Sequence, residues 1–411
     1  MLRSLALISL LLFCPWQAAA TDFSGYAEAK GFAYRERLAG APYGTGWSTL
    51  FTKWEPALAQ ARLTASLRAE WITSDERGEL RFDPADRRLR RSPVALPDLW
   101  VRLPLAPSHD LELGRFQLGW GKTDGYSPAD AFLPRDLSDP FADQKLPLWG
   151  VRASGQEQAF RYQAVAVPVT TPWRLPPLGS RNAPISAGVL PKGTVLRERE
   201  ESPPLFGFAA LRLLLTRGDW DLGAWARSGV RPAPLLEFTL DPALQGGPAP
   251  VVSVGRRHPR EHAAGIEVSR VAGPYVIRGE AAALFSDDPG LGDAVIGTLS
   301  AERGFGDGTL LVTLAANAID PPVDRTLLFD RGVLPALFAA WNRSEEWGAW
   351  KGVWITGLER GDGVLKGEVG YNITDTWKAT LGGDLPYGTR KGALGALHDA
   401  RRMQLALRRS W

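Results

Sequence analysis

The stretch Arg402-Met403-Gln404-Leu405-Ala406-Leu407-Arg408-Arg409-Ser410-Trp411 alternates apolar and polar side chains. Met403, Leu405, Leu407 and Trp411 share one parity, while Arg402, Gln404, Arg408 and Ser410 share the other. A period of two puts these sets on opposite faces of a strand, one suited to lipid and one to water. Arg409 interrupts the apolar parity, close enough to the strand end to extend its guanidinium to headgroup level. A soluble sandwich can also carry a two-sided strand, so the rest of the chain must decide.

The pattern recurs. From Arg62, the residues Leu63, Ala65, Leu67, Ala69 and Trp71 form one face and Arg62, Thr64, Ser66, Arg68 and Glu70 the other; this spacing would scatter the apolar side chains around a helical wheel. Similar runs lie at 99–103, 160–167, 220–228, 275–285, 364–373 and 377–385. Short breaks at 55–57, 106–109, 155–158, 216–218, 272–274, 305–307, 344–346 and 374–375 alternate with mostly longer ones near 36–45, 74–95, 121–145, 169–203, 231–260, 320–335 and 386–399. Tight exceptions fall near Asp287 and Gly361. Short periplasmic turns and long outer loops produce this rhythm in a transmembrane antiparallel β-barrel, an all-β fold with an even strand count. The pairing predicts about eighteen strands, or about sixteen if the weak segments 49–54 and 336–343 are not strands.

Residues 1–20 read as an export leader: Arg3, then an apolar stretch from Leu5 to Phe13, then Ala18-Ala19-Ala20 as a cleavage site. Cys14, preceded by Leu12 and Phe13, lacks the small upstream neighbour of a lipidated cysteine. The predicted mature domain, 21–411, then has no disulfide to stabilise it, whereas a closed hydrogen-bonded barrel satisfies its own backbone. No stretch beyond the leader approaches the ~18 apolar residues of a spanning helix. The net charge of +3 falls to roughly +2 without Arg3, too balanced for a nucleic-acid partner. Tryptophan outnumbers tyrosine, 16 to 8, which fits membrane interfaces or sugar-binding surfaces.

One segment departs from alternation: Gly114-Arg115-Phe116-Gln117-Leu118-Gly119-Trp120-Gly121, followed by 122–145. Its turn formers and charges (Lys122, Asp124, Asp130, Pro134-Arg135-Asp136 and Asp139) fit a constriction loop folded into the lumen better than a free surface loop. Gly114-Arg115-Phe116-Gln117 through Trp120-Gly121, with Pro134-Arg135-Asp136, resembles the corresponding region of alginate-export-type outer-membrane porins. The resemblance covers about thirty residues. It implies an eighteen-stranded barrel whose arginine-lined lumen conducts an exopolysaccharide to the surface; export would in addition need a periplasmic partner to deliver polymer.

Parity assigns Arg62, Arg68, Arg102, Arg152, Arg161, Arg227, Arg278, Arg402 and Arg408 to water, against Glu70, Asp98, Asp219, Asp221, Glu267 and Glu280. With Arg115 and Arg135 these could form a guanidinium ladder for carboxylated sugars or small anions, or simply hydrate a lumen. Trp100 and Trp225 share the channel-lining parity and could stack on sugar rings or merely pack. Uptake of a small anionic nutrient is the alternative function, and a structural or adhesion barrel a third.

The run Arg87, Arg88, Arg90, Arg91 offers contact with lipopolysaccharide phosphates or a solvated charge run. Trp411 is the expected signal to the outer-membrane assembly machinery. Pro259 spoils a metal site at His258 and His262, and Gly119-Trp120-Gly121-Lys122-Thr123 lacks a phosphate loop's first glycine, Phe116 standing there. No cofactor is implied. No Gly-x-Ser-x-Gly elbow or paired nucleophile suggests an enzyme.

Overall fold

The computed structural model describes residues 23–36, 42–58, 61–73, 82–142, 144–183, 194–199, 202–240, 250–321 and 334–411. The leader expected at 1–20 lies outside the described residues.

Eighteen strands close into one antiparallel barrel. They are β1 Phe23–Tyr34, β2 Gly44–Trp54, β3 Ala61–Ile72, β4 Leu99–Ala106, β5 His109–Phe116 and β6 Leu148–Glu157. β7 Phe160–Val167, β8 Phe208–Arg217, β9 Trp220–Val230, β10 Arg260–Ala272, β11 Tyr275–Phe285 and β12 Asp293–Phe305 follow. β13 Gly308–Asp320, β14 Ala336–Glu345, β15 Gly348–Gly357, β16 Gly363–Asn372, β17 Trp377–Tyr387 and β18 Arg402–Ser410 complete the wall. Each strand pairs with its neighbours in sequence, and β18 returns to β1 in a register running from Tyr26 opposite Ser410 to Tyr34 opposite Arg402. Residues 49–54 and 336–343 are strands, which removes the sixteen-strand count. Closure leaves no free edge.

The wall faces lipid with one parity and the lumen with the other. Leu67, Trp71, Ile266, Leu299, Leu314, Leu365, Leu381, Met403 and Leu405 are exposed on the outside. Thr64, Ser66, Glu70, Glu112, Glu267, Glu280, Thr298, Ser300 and Thr313 are buried on the inside. An apolar exterior with a polar interior is the inverse of a soluble protein's arrangement, and it fits a barrel solvated by lipid. Trp54, Phe160, Trp220, Tyr275, Phe305, Trp341, Trp350, Tyr371 and Trp377 stand outward near the short turns, as an interfacial belt would.

Trp411 continues β18 on the lipid side. Its amide donates to the Gly25 carbonyl at 3.1 Å and its carbonyl accepts from Gly25 N–H at 3.2 Å, and its ring leaves no room for a side chain at Gly25. The residue therefore joins the closing seam, and Trp411→Asp, which puts a carboxylate at the membrane face, is expected to cut the heat-modifiable folded form in outer membranes at least about tenfold. Wild-type levels of that form on gels would reject the assignment.

Candidate functional site

The segment between β5 and β6 folds into the barrel over its described residues, 117–142 and 144–147. Its anchor is Glu280, which parity places inward on β11 and which is buried. One oxygen accepts from Lys122 N–H (2.6 Å), Thr123 N–H (2.7 Å) and Thr123 Oγ1 (2.9 Å). The other accepts from Ser127 Oγ (2.6 Å) and Ala129 N–H (3.2 Å). A buried carboxylate with five donors substitutes for its lost hydration and holds the loop's first turn in place. Asp130, at the end of the short 3-10 turn Pro128–Asp130, accepts from Trp120 N–H at 2.7 Å and pairs with Lys145.

Beyond the anchor, the loop crosses the lumen. Trp120 donates to Gln163 on β7 (2.8 Å), and Arg212 on β8 pairs with Glu267 (2.7 Å) while donating to the Trp120 carbonyl (2.6 Å). Gly125, at φ +85°, sits so close to the Phe338 ring on β14 that no side chain fits. On the far side Asp139 pairs with Arg402 on β18 (2.9 Å), the Phe141 carbonyl accepts from Lys366 on β16 (2.6 Å), and Gln144 accepts from Arg68 on β3 (3.0 Å).

The loop divides the lumen into unlike halves. Against β6 to β14 it is sealed by an apolar cluster that includes Leu118, Trp120, Phe132 and Leu133 from the loop and Val165, Phe208, Trp225, Leu284 and Ile296 from the wall. Against β15 to β18 and β1 to β3 it leaves a cavity of about 310 Å³ lined by charge. Arg408 pairs there with Glu28 (2.7 Å), Lys30 with Glu28 (3.4 Å), Arg68 with Glu70 (3.3 Å) and Arg402 with Asp384 (2.7 Å). Asp139, Lys351, Lys366 and Glu368 complete the charged lining. The sequence reading passed over Arg212, Glu112, Glu28, Lys30, Lys351, Lys366, Glu368 and Asp384, although the same parity rule extended to every strand finds them.

The arginines assigned to water divide by position. Arg68, Arg402 and Arg408 line the charged gap. Arg102 and Arg152 both hold the buried Glu112, Arg102 Nε at 2.7 Å, and Arg278 pairs with Glu302 at 2.6 Å. Arg161 lines a recess at the short-turn end with Arg212 and Gln163, and Arg62 is exposed at the foot of β3. Arg227 is buried, paired with Glu261 at 2.9 Å and stacked over Phe132, so its inward parity does not bring it to water. Trp225 is likewise covered by Phe132, at 5.7 Å between ring centroids, which leaves no face for a sugar. Trp100 packs partly buried against the same cluster under Arg102.

Arg115 needs a correction. It sits opposite the outward-facing Leu99 in the register, and outer-loop residues bury it through Asp86 and the carbonyls of Pro84 and Leu96. It belongs to a buried chain of alternating charges: Glu70, Arg91 (3.1 Å), Asp136 (2.8 Å), Arg174 (2.6 Å), Asp86 (2.9 Å) and Arg115. This chain ties the outer segments 82–98, 117–147 and 168–183 to β3. Burial would raise Asp136, but the Arg91 and Arg174 guanidiniums overcome it and hold the carboxyl far below the usual carboxylate range. Arg135 pairs opposite Lys145 in a two-residue ladder beside it, and Asp124 is exposed.

The basic run is also committed within the protein. Arg87 donates to Thr170, Pro203 and Pro204 carbonyls, Arg90 pairs with Glu198 at 2.8 Å and Arg91 lies in the buried chain, so these three side chains staple loops together. His258, between an outer strand and β10, touches the Arg231 carbonyl at 3.1 Å, and burial pushes it down to about 4 from 6.5. Because the folded form prefers neutral imidazole, docking of this loop is strongest above pH ~6.5 and loses up to roughly 3 kcal/mol as pH falls to about 4. The protection factor of residues 231–240, exchange corrected for its intrinsic slowing with falling pH, should drop over that window, and His258→Gln should flatten the dependence; a pH-independent protection factor in the wild type refutes it.

A closed, lipid-facing antiparallel barrel with a loop strapped across its lumen is a transmembrane β-barrel, and that class is what the fold defines. No family profile and no curated protein matches the chain. Solved structures of engineered variants of the Rhodopseudomonas blastica porin align with it at TM-scores of 0.41 and 0.40 and 9% identity, over 95% of this chain and 99% of theirs. The strand count rests on the register of this chain.

Proposed function

We propose that the protein is a passive outer-membrane channel for small charged solutes, with uptake ahead of polysaccharide export. The carrying observation is the divided lumen: one half sealed by Trp120, Phe132 and Trp225, the other a narrow gap whose arginines and lysines stand beside carboxylates. Paired charges of both signs hydrate a path and exchange partners with a passing ion, whereas a guanidinium ladder for a polyuronate requires cations free to engage it. The excess of six cationic side chains (Arg68, Arg402, Arg408, Lys30, Lys351, Lys366) over five carboxylates (Glu28, Glu70, Asp139, Asp384, Glu368) favours anions weakly. That excess is what supports the export reading. Export would also require a periplasmic partner, and lipopolysaccharide and the assembly machinery are the partners any such barrel would meet.

Planar-bilayer conductance with liposome swelling tests both. Expected are stable ionic current, entry of a monouronate and exclusion of long uronate oligomers. Tight current block by those oligomers would replace small-solute uptake with polymer passage, and a folded barrel without current would reject any channel.

A further inference from the structure

The lipid-facing wall carries a feature that transport does not use. At the short-turn end of β8, β10 and β12, Arg217, Arg270 and Arg303 occupy the outward parity. The register sets Arg217 beside Trp220, Trp220 beside Arg270, and Tyr275 beside Arg303. Arg270 lies over the Trp220 ring at 4.7 Å, and Arg303 lies 5.2 Å from the Tyr275 ring and 4.5 Å from Phe305, donating to the Tyr275 hydroxyl at 3.0 Å. Among the described residues no carboxylate pairs with any of the three, including Asp219 and Asp307 in the adjoining turns.

The grouping of three is local to this sector; on β18 a single arginine, Arg409, also stands outward at this end, 5.9 Å from the Trp377 ring. At the same level β14 carries Arg343 neutralised by Glu345 at 2.7 Å, and β5 and β6 carry His109 with Glu157 at 3.9 Å. Three guanidiniums on a lipid-facing surface without counter-ions are costly unless something anionic meets them. Their depth is set by the aromatic belt, whose rings prefer the headgroup region. The ring under Arg270 uses the cation's face and leaves its N–H edge for an oxygen anion, the geometry that phosphate accepts; Arg303, whose Nε is buried and whose Nη1 donates to Tyr275, can offer only its remaining Nη2.

From this arrangement we infer that the strip binds the phosphates of anionic glycerophospholipids in the periplasmic leaflet, fixing lipid to one sector of the barrel. The rings pack on acyl and glycerol carbons while the guanidiniums hold the phosphate oxygens. Each arginine contributes about fivefold to retention, the worth of one basic side chain at an anionic surface.

The test uses the purified full-length barrel in detergent with added phosphatidylglycerol or phosphatidylcholine, read as bound lipid by native mass spectrometry. Wild type is expected to retain phosphatidylglycerol at least about tenfold better than phosphatidylcholine. The triple variant R217Q, R270Q, R303Q should lose that preference while phosphatidylcholine retention stays the same, R343Q should match wild type, and the triple lysine variant should keep most of the preference. Heat-modifiable migration monitors folding, and R270Q alone, expected to lose about fivefold, serves if the triple variant does not fold. Equal retention of the two lipids by wild type, or undiminished phosphatidylglycerol on a folded glutamine variant, overturns the inference. So does a change of oligomeric state without a change in lipid, which would make the strip a contact between copies.

Discussion

Glu280→Ala is expected to release the loop from the lumen and raise single-channel conductance at least about twofold, with a noisy open state. The carboxylate accepts five hydrogen bonds from residues 122–129; the Thr123 hydroxyl can turn instead to the Tyr126 carbonyl (2.9 Å) or Thr298 Oγ1 (3.1 Å), which leaves four donors that depend on Glu280. Each bond to a charged group is worth roughly 1.5–3 kcal/mol, and buried donors left unmade add their desolvation cost. Even with strong non-additivity the loop's first turn loses at least about 4 kcal/mol, or about a thousandfold in docking. The apolar cluster around Phe132 and Trp225 resists release, so the loop should fluctuate around that hinge while its charged tip, Asp139 to Gln144, leaves the gap. Glu280→Gln should be intermediate, because the amide keeps one accepting oxygen. The wall does not depend on this carboxylate for its ladder, so heat-modifiable migration should be unchanged. Quiet current at wild-type conductance in Glu280→Ala would show that something else holds the loop.

How much of this was legible in the sequence follows from the physics of each element. The strands declared themselves because lipid on one side and water on the other force a period of two, and the same two-sidedness points Arg68, Arg402 and Arg408 toward the gap that they line. Loop lengths gave the topology, since the turns near 106–109, 216–218 and 305–307 leave room only for antiparallel neighbours. Parity says which way a side chain points and nothing about what covers it. Arg227 and Trp225 point inward yet lie under Phe132, a contact between residues almost a hundred apart that no local pattern encodes. Arg115 failed for another reason: it is still paired in β5, on the outward parity of Leu111 and Leu113, and the outer loop closes over it through Asp86 and the Pro84 and Leu96 carbonyls. The inward fold of 117–147 was readable from its break in alternation, but Glu280, its anchor, looked like any other hydrated acid.

Arg174→Met should have the second large effect, on the outer cap. It removes from Asp136 and Asp86 one guanidinium each, and Asp136 is fully buried. Breaking a buried ion pair by deleting one partner costs about 3–5 kcal/mol, because the remaining charge keeps its desolvation penalty without its attraction. Trypsin should then cut the outer loops about a hundredfold faster, by mass action on the opened state, while the wall stays folded. The sign with pH is set by Asp136: its carboxyl is depressed when folded, so the clamp is fully present above the ordinary carboxylate range and is lost only as pH falls through the depressed folded value. Wild-type loops should therefore stay protected near pH 3 against pepsin, which is active there where trypsin is not, although an unpaired aspartate is largely protonated at that pH. Replacing the inner three together, Arg91→Met, Asp136→Leu and Arg174→Met, should cost less than Arg174→Met alone. Glu70 still keeps Arg68 at 3.3 Å and Asp86 still keeps Arg115, so no carboxylate is left unpaired, and the triad's own desolvation is removed with it. Greater protease sensitivity in the triple variant than in the single one would mean that the chain stabilises the cap by more than its electrostatics, through packing that these residues alone supply.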